Sequence, residues 1–487
     1  MTFSSLTFLV FLTVVFAAYW LLRERKSQNL LLLMMSYVFY GWWDWRFCGL
    51  MLLSSLMDFG FGMLLHRTDR ARWRKSLLAL SVVANLALLG FFKYYNFFAE
   101  SFAEAAGSLG WNPGELTLNI ILPVGISFYT FQSLSYTIDI YRRELEPTKS
   151  LVDYLAFVSF FPQLVAGPIE RACDLLPQFG KERQFDAALA TDGLRQMLWG
   201  LFKKVAVADR LALLVNPVYE NPGEHSGIHL MFATICFAFQ IYCDFSGYSD
   251  MAIGCARQFG IRLSRNFAYP YFSQDPREFW RRWHISLSTW FRDYVYIPLG
   301  GSRGGSAKNI RNLMVTFVVS GFWHGAAWTY LAWGAINGLL VAVRGPRRKK
   351  AGPRTHTPGG DRLIPGFGTL ARMGATFTAI CFCWIFFRAV TWSDALLIVR
   401  RIGGGLFERA DALRLWNELS LTPGAYATLT TLLVMLAIEW LGRRHDHPLA
   451  IARWPRPVRW TCYTVACWAT LLLIPEGAGR DFIYFDF

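Results

Sequence analysis

Long apolar runs separated by short polar segments set the pattern of this chain. The first extends from Leu6 to Leu22, and others cover Leu30 to Trp43, Phe47 to Leu65, Leu77 to Phe98 and Ile120 to Ile140. They continue at Leu151 to Val165, Leu194 to Val215, His229 to Phe245, Leu313 to Val343, Leu370 to Phe387, Ala425 to Trp440 and Trp460 to Ile474. A helix needs about 20 apolar residues to cross a hydrocarbon core, and runs of roughly this size recur along the chain instead of gathering at one end. The pattern predicts an all-α polytopic integral membrane protein. No basic residues precede the first run, as they would a secretory signal, and Arg23, Arg25 and Lys26 follow it at once, so it is expected to remain as the first span.

The polar segments orient these spans. His66 to Lys75 carries five Arg/Lys and one Asp, Arg344 to Arg362 seven and one, and Gly442 to Arg459 five and one. Short segments rich in Lys and Arg stay on the cytoplasmic side. Ala99 to Leu118 and Asn216 to Ile228 have acidic residues and no Lys or Arg, which suits the opposite face. Both termini then fall on the periplasmic face. Two places break simple alternation. Between Tyr141 and Asn216 the charges ask for one net crossing but there are two apolar runs; Leu151 to Val165, with Pro162 and Gly167-Pro168, is expected to dip in and return. Leu313 to Val343 has basic segments at both ends, so a broken helix hairpin is expected, with Ser320-Gly321-Phe322-Trp323-His324-Gly325 at its middle. Non-helical backbone at membrane depth persists only where protein or a water-filled cavity satisfies it, so both places point to a cavity.

Composition agrees with a membrane protein: of 487 residues, 54% are hydrophobic and only 17% charged, against about 25% charged in a soluble domain. The net charge of +15 would suggest nucleic acid for a soluble protein, but here it lies between spans, and no nucleic-acid partner is expected. The nine cysteines are scattered without a CxxC pair or Cys/His ligand spacing, and the pair His445 and His447, in a basic loop with Asp446, has no third ligand at usable spacing. No metal site is expected. There is no GxSxG elbow, Walker loop, HExxH or GxGxxG, so a serine hydrolase, an ATPase and a zinc peptidase lack support.

His324 is an ionisable side chain within an apolar stretch, flanked by Gly321 and Gly325 with Trp323 and Trp328 beside it. Such a residue points to function; the alternative is a histidine that only hydrogen-bonds between helices. Imidazole is suited to take a proton from a hydroxyl near neutral pH, as acyl transfer requires. His284 lies in a basic region, Arg257 to Arg311, that has ten Arg/Lys and three acidic residues. Its cations and aromatics would grip a phosphate-bearing donor, or would hold an interfacial helix on anionic lipid heads. Asp275-Pro276 followed by Glu278 reads as a helix start. If that helix continues, Trp280 and His284 share one face, and His284 lines an inner opening while Arg281 or Arg282 faces the donor. Asp244 and Asp250 close a span, orienting a histidine or capping a helix, with capping the favoured reading. His66, His225, His229 and His356 offer no reason to be singled out.

Several longer motifs now resemble those of a known family. They are Pro123-Val124-Gly125-Ile126-Ser127-Phe128-Tyr129-Thr130-Phe131-Gln132, Phe161-Pro162-Gln163-Leu164-Val165-Ala166-Gly167-Pro168-Ile169, the stretch Arg277 to Gly301 and Gly321-Phe322-Trp323-His324-Gly325-Ala326. Together they make the chain similar to the membrane-bound O-acyltransferases, and within them to the bacterial alginate O-acetylase branch. The resemblance implies one membrane-embedded domain over residues 1–487: a ring of about 11 or more transmembrane helices with re-entrant segments around a central tunnel. The family's invariant histidine maps onto His324 and its second histidine onto His284. Arg281, Arg282, Trp283 and Arg292 are then candidates for donor binding, with Asp244, Trp323 and Asp293 in support. The D-alanyl transferases of teichoic acid share the Phe-Trp, Trp-His and Phe-Arg-Asp-Tyr elements, but Tyr296-Ile297-Pro298-Leu299-Gly300-Gly301 looks more like the polysaccharide acetylases. Asp486 departs from the pattern, where a neutral amide is expected.

The resemblance implies acetyl transfer from a cytoplasmic thioester, acetyl-CoA or another, with no bound cofactor. His324 acts as base or briefly carries the acetyl group. The expected partners are membrane lipids, a periplasmic polysaccharide acetyltransferase whose serine accepts the acetyl group, and the polysaccharide synthesis and export complex. The polymer is alginate-like; other envelope polymers (teichoic acid, cellulose, peptidoglycan) are the alternatives within the same chemistry. A transporter predicts repeated halves, and the motif-rich region Pro123 to Gly338 has no counterpart elsewhere in the chain. A scaffold for an export complex predicts that His324 is dispensable.

Overall fold

The computed structural model describes residues 1–165, 167–343, 357, 359–360, 362–405, 409–475 and 482–483. Ala166, His356, Asp486 and most of the basic segment Arg344 to Arg362 lie outside the described residues. Among the described residues the regular structure is helical, with no strand. Five helices are long and apolar enough to cross a bilayer: Arg46–Arg67, Ala71–Ser108, Gly227–Gln258, Phe367–Arg388 and Ala425–Gly442. Leu6–Leu21 is a shorter apolar helix. The protein is an all-α polytopic membrane protein, and its chain packs as two compact units: residues 1–190 with 255–264, and residues 191–254 with 265–487.

The first unit holds α1 (Leu6–Leu21), α2 (Arg25–Asp44), α3 (Arg46–Arg67), α4 (Ala71–Leu89) and α5 (Tyr95–Ser108). Next come α6 (Ile126–Arg142), α7 (Leu151–Ser159), α8 (Phe161–Leu164), α9 (Ala172–Phe179) and the start of α10 (Ala187–Leu201). α7 has nine residues, about 14 Å of helix, too short for the hydrocarbon core of about 30 Å. The chain turns at Phe160, whose φ of −50° and ψ of 106° leave the helical region. The carbonyl of Phe157 near this break accepts from Gln132 Nε2 at 2.9 Å and Gln163 Nε2 at 3.1 Å. The Phe161 amide donates to Ser36 Oγ at 3.1 Å. Broken backbone is therefore satisfied by protein, as a low-dielectric interior requires. The two motifs around Gly125 and Gln163 meet here. Gly125, at φ 77°, abuts the Leu164 carbonyl so closely that a β-carbon would stand 2.8 Å from it.

The second unit takes up the rest of α10, α11 (Asp209–Glu220), most of α12 (Gly227–Gln258), α13 (Pro276–Trp280), α14 (Ile285–Phe291), α15 (Ser306–His324) and α16 (Trp328–Ala342). It closes with α17 (Phe367–Arg388), α18 (Trp392–Gly405), α19 (Arg409–Leu421), α20 (Ala425–Gly442) and α21 (Arg456–Leu472). A π-helical stretch, Phe202–Ala208, joins α10 to α11. The apolar run Leu313 to Val343 is divided between α15 and α16, two helices that break at residues 325–327. Small residues let their backbones touch: a β-carbon on Gly321 would come within 2.2 Å of the Tyr330 carbonyl, and one on Gly334 within 2.3 Å of the Phe317 carbonyl. With no hydrophobic drive between helices in lipid, such close packing is what holds a hairpin.

Candidate functional site

His324 is the last residue of α15, at the tip of the hairpin, and is only 3% exposed. Gly325 follows in extended conformation. Three aromatic rings stand edge-on to the imidazole: Trp323 at 4.9 Å, Trp333 of α16 at 5.1 Å and Phe387 of α17 at 5.4 Å between centroids. Trp384 backs this wall, stacking on Trp333 at 6.0 Å and lying 5.0 Å from Trp283. The result is a buried imidazole enclosed by aromatic rings at a helix break.

The second histidine arrives by another route. α13 begins as its sequence predicts, with Asp275 Oδ1 accepting from the Glu278 amide at 2.9 Å. It ends at Trp280, however, so His284 does not share its face with Trp280 as a continuous helix would require. The cause is pairing between segments distant in sequence: the Ala268 amide donates to the Arg282 carbonyl at 3.0 Å and the Ile285 amide to the Asn266 carbonyl at 2.8 Å. These bonds bend the chain and place His284 in the left-handed region, φ 42° and ψ 57°, ahead of α14. For a residue with a β-carbon this conformation costs roughly 1–2 kcal/mol, a strain of the kind found at functional sites.

His284 is 1% exposed. Its Nδ1 lies 3.1 Å from Asn266 Oδ1, and its Nε2 has no hydrogen-bond partner among the described residues. Phe245 meets the ring edge-on at 4.6 Å, and Trp323 lies 6.3 Å away. Trp323 thus borders both imidazoles. His284 sits between α13 and α14, outside the spanning helices, and burial pushes its pKa down to about 3. A low-dielectric surrounding disfavours the charged ring, so it is neutral at physiological pH. Phe267 stacks on the same imidazole at 6.3 Å and also forms part of a small polar cleft with Lys203, Tyr242, Asp250, Arg265 and Glu439.

The other expected site residues separate. Arg281 and Arg292 are exposed, and Arg292 pairs with Asp293 at 2.6 Å. Arg282 forms an ion pair with Glu278 at 2.8 Å. Trp283 is buried at 1% exposure between Phe279 and Trp384, so its faces are used in packing. Asp244 does not cap a helix. It sits within α12, pairs with Lys204 at 2.6 Å and accepts from the Ile483 amide at 2.7 Å. Lys204 also holds Asp209 at 2.8 Å, while Lys203 pairs with Asp250 at 2.6 Å and donates to Ser246 at 2.8 Å. Glu439 of α20 accepts from the Tyr242 hydroxyl at 2.9 Å through both carboxylate oxygens.

This charge network was missed in the sequence reading, although Lys203, Lys204 and Glu439 stand inside apolar runs and meet the criterion that singled out His324. Among the described residues no three His, Cys, Asp or Glu side chains gather as a metal site would need.

What this arrangement can do chemically is accept a proton and pass it on: two buried imidazoles beside one indole, a strained backbone and a polar cleft one ring away. Residues 141–346 match the family described as MBOAT, membrane-bound O-acyltransferase. The chain is 39% identical to the probable alginate O-acetylase of Azotobacter vinelandii, over 92% of this chain and 87% of that protein. It is 34% identical to the peptidoglycan O-acetyltransferase of Helicobacter pylori, over 82% and 79%. A teichoic acid D-alanyltransferase of Streptococcus thermophilus is 29% identical over 51% of this chain and 63% of its own. The chain belongs to the membrane-bound O-acyltransferase family, in its alginate O-acetylase-like branch, and is an acyltransferase.

Proposed function

We propose that this acyltransferase carries acetyl groups from a cytoplasmic thioester, with acetyl-CoA as the donor, across the bacterial inner membrane for O-acetylation of an exported, alginate-like polysaccharide. The observation that carries the reading is the pair of buried imidazoles bordering one indole, with His324 4.9 Å and His284 6.3 Å from Trp323. Acyl transfer breaks the thioester C–S bond and forms a C–O bond to the acceptor hydroxyl. The hydroxyl proton passes to an imidazole and from there to the departing thiolate. His324 serves as that base or forms a transient acetyl-imidazole.

The donor's phosphates are read by the basic region around α13 and α14. Arg281 and Arg292 are exposed there; Arg282 joins them once it leaves Glu278, and Trp283 supports the site through packing. The acetyl group reaches the imidazoles while the polar remainder of the donor stays outside. The acceptor is a serine of a periplasmic acetyltransferase partner within the synthesis and export complex, and both termini of this chain face the periplasm.

Inverted membrane vesicles containing the protein, its partner and the polymer test the reading. Radiolabelled acetyl-CoA added outside, on the former cytoplasmic face, is expected to label the polymer as alkali-labile ester. Labelling that persists unchanged in vesicles without this protein would overturn it.

A further inference from the structure

Asn266 is completely buried and uses every polar atom of its side chain. Its Oδ1 accepts from Ser286 Oγ at 2.9 Å and, at 3.3 Å, from the Ser286 backbone amide. Its Nδ2 donates to Ser249 Oγ at 3.1 Å. A backbone N–H can only donate, so the atom it meets is the carboxamide oxygen, and the orientation of the amide is settled by Ser286. The same oxygen faces His284 Nδ1 at 3.1 Å. Two lone pairs cannot share that contact, so Nδ1 carries the proton.

We propose that Asn266 is a positioning residue for acyl transfer: it fixes His284 as the Nδ1–H tautomer and leaves Nε2 as the one basic atom of that side chain. This rests on the reading of His284 as part of the transfer site. Three features agree. Nε2 is buried without a partner among the described residues. The backbone at 284 is held in its left-handed bend by the Asn266 carbonyl, which accepts from the Ile285 amide at 2.8 Å. The neighbours packed on the ring, Phe245, Phe267 and Trp323, bring no charge. A serine protease orients its histidine with a carboxylate that stabilises the imidazolium. A neutral carboxamide fixes the tautomer without that stabilisation, so a proton accepted at Nε2 is passed on readily.

The test compares wild type, Asn266→Asp, Asn266→Ala and His284→Ala in inverted vesicles, with initial acetyl-transfer rates taken between pH 5 and 9 and normalised to protein in the membrane. Asn266→Asp keeps the acceptor oxygen but adds a buried charge beside Nδ1 that favours the imidazolium, and is expected to bring into this range an acidic limb of His284 that lies below it in wild type. Asn266→Ala is expected to lower kcat at least about 10- to 100-fold, the loss seen when metal-bound histidines lose an orienting partner, with KM for acetyl-CoA unchanged. An unmoved profile in Asn266→Asp, or wild-type kcat in Asn266→Ala, would overturn the assignment of Asn266. Should Asn266→Asp not reach the membrane, the kcat of Asn266→Ala decides alone. Full activity in His284→Ala would instead sink the role given to His284, which separates the two failures.

Discussion

A β-carbon placed on Gly321 would stand 2.2 Å from the carbonyl oxygen of Tyr330. Three residues further along α15, His324 takes its position from that approach. Gly321→Ala forces α15 and α16 apart, and overpacking of this kind costs typically 1–3 kcal/mol. The expected outcome is a lower unfolding midpoint in detergent together with loss of acetyl transfer. A variant with wild-type thermal stability would show that the hairpin tolerates a wider spacing and that His324 is not held this way.

Lys204 lies between Asp244 and Asp209 at 2.6 and 2.8 Å, with all three side chains largely buried. Lys204→Met leaves two carboxylates without their cation, and breaking a buried pair costs about 3–5 kcal/mol. Membrane levels of the single variant should fall sharply. Asp244→Asn added to it should restore part of the loss. If the single variant accumulates like wild type, the network does not carry the packing of α12.

The Phe157 carbonyl accepts from both Gln132 and Gln163. Replacing either glutamine by Leu removes one donor and should cost about 1 kcal/mol. Replacing both strips the carbonyl of its partners beside the break after α7, so the double variant should lose more than the sum of the singles. Thermal midpoints of the three variants would reveal simple additivity, which would contradict this account of the broken helix.

Much of the site is legible in the sequence because membrane proteins penalise ionisable groups. His324 in a Gly-flanked apolar run, with basic segments at both ends, was enough to expect a hairpin with a histidine at its break. His284 was legible as a residue of interest but not as a geometry. Its position depends on backbone pairing of residues 266–268 with 282–285, and no local periodicity reports a contact across that separation. Asn266 carries no charge and breaks no pattern, so it left no sign. Lys203, Lys204 and Glu439 did leave one, in apolar runs read only for their hydrophobicity.

His284 gives stability a pH dependence whose sign is fixed. Its folded pKa of about 3 lies below the ordinary value of 6.5, so below pH 6.5 the unfolded chain binds a proton that the native protein refuses. The contribution is present in full above pH 6.5 and is lost as pH falls toward 3, by up to about 1.4 kcal/mol per pH unit. Between pH 7 and 5 the thermal midpoint of wild type should therefore drop more than that of His284→Gln. Equal drops would mean that His284 is not held neutral.

The central claim is that His324 performs acyl transfer. The most direct measurement is the O-acetyl ester content of exported polysaccharide from a deletion strain complemented with wild type or with His324→Ala, both quantified in the membrane. The account predicts that His324→Ala reaches the membrane and that the polymer is exported without acetyl groups. Acetylation at the wild-type level with His324→Ala would contradict it and leave this histidine a purely structural part of the hairpin.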